Sequence, residues 1–507
     1  MLRAVPHLEE GPMPHPIRRT ITIASALVTL AAAGCLAGPA PNHPTGQRLR
    51  VVMLLPPRAA LSPLSDDAFK LSRLGVAEAL TTLDADGTPQ PSLAVSWSRT
   101  DDRTWRFALR AGVRFHDGTT LDAERAAASI TRAATARPKP RILDGVDLTV
   151  APDGPTTLVV RTGTPDPLLP QRLSSPQLSI LAAKAYTGDT VDPRQAGTGP
   201  FVLTHLNGTQ GASLDRFPEH WAGRAAAPGI DVAFVPDGTA RTAALRTGAA
   251  DIVEAVPAAQ AALLTADTYR EVAMPRTNTL YLNTRRGPFT DPAIRAAARA
   301  AVRRDDLVRG VYENRADPAV GLLGPALPWT AARPARAQHP AAPVPGRTIV
   351  LATFSDRPEL PEVAATLAQH LQAAGFTVRQ VVREYAHIET DALAGRFDAF
   401  ILSRATMLDS GDPVAYLTSD FTCHGGFNLA QLCNPTVDRA VARAGAEADL
   451  TARRARILAA EKTILETDAA VPLLHERVIQ GNRPGVVDAV FDPRERLLIG
   501  LTTRVTQ

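Results

Sequence analysis

The stretch 348–403 constrains the fold more than any other part of this 507-residue sequence. Residues 348–353 (TIVLAT) form a short apolar, β-branched run. Val363, Leu367 and Leu371 then recur at helical spacing through 361–374, and Gly375 is placed to stop that helix. Residues 376–382 and then 397–403 (FDAFILS) return to strand patterning. Strand, helix, strand in that order predicts an α/β lobe built on a mostly parallel sheet. Ligands of such lobes sit beyond the carboxyl ends of the strands. The loops after Thr353 and after Ser403 are therefore the first places to look for a site.

One lobe does not account for the chain, because a sequence this long exceeds a single hydrophobic core and predicts two or three domains. Residues 50–55 (RVVMLL) read as a buried first strand, and Trp105, Phe107 and Leu109 alternate as in a half-buried strand followed by a turn at His116-Asp117-Gly118. The Ala-rich segment 122–135 reads as a helix. So does 239–247, with Gly248 just past its end and a strand over 251–256. Residues 325–347, rich in Pro, Ala and Arg, read as a surface loop. No repeat of 20–50 residues is visible, which argues against a solenoid.

Near the N-terminus, Arg18 and Arg19 precede the uncharged run 21–34 (ITIASALVTLAAAG), which ends at Cys35. A basic segment followed by fourteen apolar or small residues is the pattern of a signal peptide and is too short to span a bilayer. Small residues before the cysteine resemble a bacterial lipobox, with Ala32 where leucine is usual. This implies a lipidated Cys35 and a signal peptide over 1–34, starting at Met1 or Met13. Residues 35–47, with Pro and Gly, then read as a flexible tether. The other two cysteines, Cys423 and Cys433, could close a short disulfide loop in an oxidising compartment or stay as buried thiols. The net charge of +4 comes from scattered arginines with no basic stripe, so no nucleic-acid partner is expected. No G-x-S-x-G or H-E-x-x-H pattern occurs, and no catalytic residue is assigned.

Five blocks in order resemble one family. They are 76–124, containing DDRTWRFALRAGVRFHDG; GTGPF at 197–201; FPEHWAG through FVPDGTARTAALRTGAADI; LYLNTRRGPFTDPAIRAAARAAV at 280–302; and GFNLAQLCNPTVDRAV at 426–441. Together they resemble the extracytoplasmic solute-binding proteins of peptide and nickel ABC importers, family 5. Departures are Ala301-Val302-Arg303-Arg304 where A-I-D-R is usual, Ala123-Glu124-Arg125 at a helix start, and the Pro/Ala loop in place of a helix. The resemblance implies an α/β, two-lobe periplasmic-binding-protein-like fold (class C) with an extra subdomain inserted in lobe I. Lobe I would comprise 48–75, 190–268 and 478–507, the insertion 76–189, and lobe II 269–477.

The same resemblance supplies site expectations. Dipeptide binders carry an Arg-Pro in the first lobe II loop and an Asp three residues before an Asp-Pro in the second. That pattern makes Arg357 the clamp for a peptide carboxylate and Asp409 the clamp for its ammonium. A guanidinium can grip a carboxylate with two parallel hydrogen bonds, and buried charges need such partners. Where those relatives have Trp before the clamp Asp, this chain has Thr406. Asn428 matches a family position, and Asn283 opens the hinge-side Asn-Thr-Arg segment, where it either contacts ligand or caps backbone; both are further ligand-binding candidates. Cys433 matches a cysteine of some dipeptide binders, which implies a Cys423–Cys433 disulfide beside the cleft. The expected function is capture of a small solute, a short peptide first, by lobe closure and delivery to a membrane ABC permease. The chain would act without enzyme activity or cofactor, as a monomer, lipid-anchored on the outer face of the cytoplasmic membrane or periplasmic. A nickel chelate is the alternative ligand, with His424 as its one metal candidate. An exported hydrolase or a ligand sensor are further alternatives.

Overall fold

The computed structural model describes residues 46–507 apart from Asp144, residues 408–410, Gln507 and the side chain of Ala386. An eleven-stranded sheet runs through it, formed by β1 (Leu49–Met53), β2 (Phe201–Asn207), β3 (Gly211–Arg216), β4 (Gly229–Phe234), β5 (Ile252–Val253), β6 (Tyr269–Leu282), β7 (Ala316–Pro318), β8 (Arg347–Phe354), β9 (Phe376–Arg383), β10 (Ala399–Ala405) and β11 (Ala470–Asn482). The order across it is β2-β3-β4-β1-β5-β11-β6-β10-β8-β9, with β7 pairing β11. The first five strands build lobe I around Leu49, Val51, Phe201, Leu214 and Ile230. The strands β10, β8 and β9 build lobe II around Ile349, Leu351, Leu367 and Ile401.

Only the long antiparallel pair β6 and β11 connects these halves within the sheet. Residues 269–273 pair with 477–481 on the lobe I side, and 277–281 pair with 470–475 on the lobe II side. The register shifts between Ala273 and Thr277, where Pro275 cannot donate to the ladder. That break is the crossing point between lobes and sets the floor of the space between them.

In lobe II, β8 runs parallel to both β9 and β10. The connecting helix spans Glu359–Ala373, and Val363, Leu367 and Leu371 are fully buried on its inner face. Replacing one such leucine with Ala removes apolar contact and leaves a cavity, at a cost of about 2–5 kcal/mol. Gly375 has φ +105° and admits the turn into β9. The strand expected over 251–256 is reduced to Ile252–Val253, because Ala255 adopts φ +50° and turns the chain out of the sheet.

A four-stranded antiparallel sheet, in the order Ala94–Arg99, Thr104–Leu109, Thr157–Thr162, Leu148–Pro152, forms the inserted subdomain with the helix Ala123–Thr135 on it. The GTGPF segment joins it to lobe I. His116 N–H donates to the Gly197 carbonyl at 2.8 Å, and its Nε2 meets the Gly199 carbonyl at 2.8 Å. A Cβ on Gly197 would lie 1.9 Å from the Val76 carbonyl oxygen, so only glycine fits there. No helix of the described residues is long and apolar enough to cross a membrane.

Candidate ligand-binding cleft

With β9 and β10 on opposite sides of β8, the chain diverges at the carboxyl end of β8, which is the topological switch point of lobe II. Arg357 lies in the loop leaving that end, and its side chain is 35% exposed. Its Nη1 donates to Ser403 Oγ on β10 at 2.6 Å and to both carboxylate oxygens of Glu476 on β11, at 3.0 and 2.8 Å. The predicted carboxylate clamp thus already faces a protein carboxylate.

Glu476 gathers further donors. Its Oε1 accepts from Asn278 Nδ2 at 2.7 Å and from the Tyr312 hydroxyl at 3.4 Å. Burial by itself would raise its carboxyl, but the guanidinium groups of Arg357 and Arg276 hold it below the usual range. Burial likewise works against charge on Arg357, and Glu476 outweighs it, leaving that pKa raised. Burial pushes the Tyr312 phenol well up and raises Glu359, at the start of the following helix.

A second wall is formed at the end of β10. Arg404 Nε and Nη2 donate to the two oxygens of Asp420, each at 2.9 Å. The guanidinium carbon also lies 4.5 Å from the centre of the Phe427 ring. Bidentate pairing plus an aromatic face fixes this arginine rigidly.

Opposite the hinge, the hairpin formed by Thr81–Leu83 and Pro89–Pro91 reaches across to lobe II. Arg454 Nη2 donates to the Asp86 carbonyl at 2.8 Å. Arg494, in the C-terminal part of lobe I, holds the base of the same turn through the carbonyls of Ala85 and Asp84. The lobes are therefore in contact on both sides of the space between them, as in a closed binding protein.

The predicted residues separate into groups. Arg357 stands at the switch point. Asp409 and Cys35 lie outside the described residues. Asn283 Nδ2 donates to the carbonyls of Gly395 and Phe397, and its Oδ1 accepts from Arg285 N–H. Asn428 Nδ2 donates to Thr422 and Leu432 carbonyls, and its Oδ1 accepts from Leu432 N–H. Both amides have backbone partners at donor and acceptor, so each braces a loop instead of offering free groups to a ligand. Cys423 and Cys433 form a disulfide. His424 beside it is exposed, and among the described residues no group of three His, Cys, Asp or Glu side chains could hold a metal ion. Arg276, Arg404, Tyr312 and Glu476 are the charged and polar groups that sequence reasoning missed.

The model of the bacterial extracellular solute-binding proteins, family 5, matches residues 88–428. The chain belongs to that family. A relative in Pseudomonas aeruginosa named "Probable di/tripeptide-binding protein 5" is 28% identical over 437 residues, 77% of this chain and 82% of its own length. The glutathione-binding protein GsiB of Salmonella paratyphi A is 29% identical over 262 residues, and this family 5 chain spans about half of its length, 51%. Among solved structures, NikA from Brucella suis in complex with Fe(III)-EDTA superposes with a TM-score of 0.77 at 23% identity, covering 91% of this chain and all (100%) of the other. A dipeptide-binding protein from Pseudoalteromonas sp. SM9913 in complex with Met-Leu gives 0.77 at 18% identity, with 91% and 100% covered. These likenesses establish the two-lobe fold for this family 5 member. Because the two structures hold such different ligands, fold alone does not choose between them.

Proposed function

We propose that this family 5 protein is the solute-receiving component of an ABC importer and that its solutes are short peptides. The observation that carries the peptide reading is Arg357. It is a solvent-reachable guanidinium at the switch point of lobe II, kept charged and oriented by Glu476 and Ser403. A peptide entering the cleft brings a carboxylate to that guanidinium, and Asp409, which follows β10 in the sequence, takes the ammonium. Two fixed opposite charges then measure the length of the peptide. The similarity to a di/tripeptide-binding relative along most of both chains supports the same reading. In this proposal Cys35 carries the lipid that holds the protein at the outer face of the membrane, the protein works as a monomer, and lobe closure presents the solute to a permease.

The test is native mass spectrometry of gently purified protein, followed by thermal unfolding with di- and tripeptides. Retained peptide mass and a raised midpoint that Arg357→Ala or Asp409→Asn abolishes are the expected results. A midpoint raised by nickel with histidine and lost in His424→Ala, with no response to peptides, overturns the peptide reading.

A further inference from the structure

Arg276 is the least satisfied cation of the cleft. It lies inside the register break of β6, where the chain crosses between lobes, and its Cα pairs with Ala405 at the end of β10. It thus stands at the hinge floor beside the end of β10. Its side chain is 18% exposed, while the Nε atom itself is buried. Its Nε has no hydrogen-bond partner among the described residues, and its Nη1 reaches the Ser403 carbonyl only at 3.4 Å.

The carboxylate nearest to it is committed elsewhere. Glu476 bonds Arg357 and Asn278 between 2.7 and 3.0 Å, while Arg276 Nε stands 3.8 Å from Glu476 Oε2. Arg357 and Arg276 both approach Ser403, one at its hydroxyl and one at its carbonyl, so two guanidinium groups share one bonded carboxylate. Arg404 does not relieve this, because Asp420 holds it bidentately. A partly desolvated cation with no close acceptor is costly until an anion arrives.

We propose that Arg276 is a second anion-recognition group of the cleft, and that the preferred ligands are acidic peptides, which bring a side-chain carboxylate in addition to the terminal one. This rests on the peptide reading and sharpens it. The terminal carboxylate goes to Arg357, where it competes with Glu476, and the additional one to Arg276, which the protein leaves without a close carboxylate.

Isosteric dipeptides separate charge from shape. Ala-Glu, Ala-Gln, Glu-Ala and Gln-Ala are titrated calorimetrically into the mature protein, into Arg276→Gln and into Arg276→Lys, with unfolding midpoints measured to confirm that each variant is folded. At least one acidic peptide should bind the natural protein about tenfold or more tightly than its amide counterpart, as expected for one charge-assisted contact. The ratio should fall to about one in Arg276→Gln and be partly kept in Arg276→Lys. Equal affinity of both acidic peptides and their amides in the natural protein overturns the inference while leaving the peptide reading intact. A preference that survives Arg276→Gln also overturns it. Failure of all four peptides to bind overturns the inference and the peptide reading together.

Discussion

Oε2 of Glu476 lies 2.8 Å from Nη1 of Arg357 and 3.8 Å from Nε of Arg276, so one carboxylate stands between the two hinge-side arginines of the cleft. Glu476→Gln removes the charge and keeps the shape. Breaking a buried pair costs about 3–5 kcal/mol when both charges are sealed from water. Arg357 is partly solvated, so a loss of roughly 1–2 kcal/mol is expected after screening. The carboxyl is held low in the folded protein, so its contribution is in place above the ordinary Glu pKa and vanishes as pH falls through the depressed one. Binding of an anionic ligand should move the other way and tighten, because both guanidinium groups lose their internal competitor. Urea unfolding and peptide titration of the same variant check the two directions.

His116 predicts a different pH dependence. Burial lowers its pKa to about 4, and burial does the same to His475. The His116 Nε2–H donates to the Gly199 carbonyl, which leaves Nδ1 buried without a partner among the described residues. A proton added at Nδ1 would have no acceptor. The folded protein therefore binds fewer protons than the unfolded chain between about pH 6.5 and 4, and stability falls as pH is lowered through that window. Each histidine contributes a loss on the order of 3 kcal/mol at the low end. Urea unfolding at pH 7 and pH 4.5 should show this fall, and His116→Gln should flatten part of it. An unchanged slope in that variant refutes the assignment.

Much of the frame was legible because strand and helix patterning in lobe II is carried by side chains that are fully buried, such as Val363, Leu367 and Leu371. The switch point was legible for the same reason, and with it the position of Arg357. The short β5 was not, since nothing in the residue type of Ala255 announces φ +50°. Glu476 does have a signal in the sequence: His475-Glu476-Arg477 separates the apolar stretches 470–474 and 478–479, and a charge inside a buried strand demands a partner. The partner itself was beyond reach, because Arg357 lies 119 positions away and only the β6–β11 crossing brings the two together.

Reducing the Cys423–Cys433 bond should loosen the segment beside β10. The cysteines are 10 positions apart, and closing so short a loop is worth about 2–3 kcal/mol in the chain-entropy model. The double variant Cys423→Ser/Cys433→Ser should fall in stability by about that amount. Because Asn428 braces the same loop through Thr422 and Leu432, it should also bind its solute more weakly through a less ordered wall. Treating the natural protein with a reductant should reproduce both effects, and leave the double variant unchanged.

Closure offers the cleanest separation of binding from stability. Gly87 sits at the tip of the lobe I hairpin with φ +80°, and a Cβ there would lie 3.0 Å from the carbonyl oxygen of Gly411 in lobe II. Gly87→Ala therefore acts twice. The positive φ strains the turn by about 1 kcal/mol, and this strain is the same whether the lobes are apart or together, so it cancels from any binding constant. The contact with Gly411 exists only when the lobes meet, so it alone should raise the Kd. Arg454→Ala, which removes the 2.8 Å bond to the Asp86 carbonyl, should weaken binding without the turn strain. A Kd for Ala-Ala raised several-fold in both variants, with only Gly87→Ala less stable in the absence of peptide, is the expected pattern. If Gly87→Ala loses stability but binds as tightly as the natural protein, the hairpin takes no part in closure.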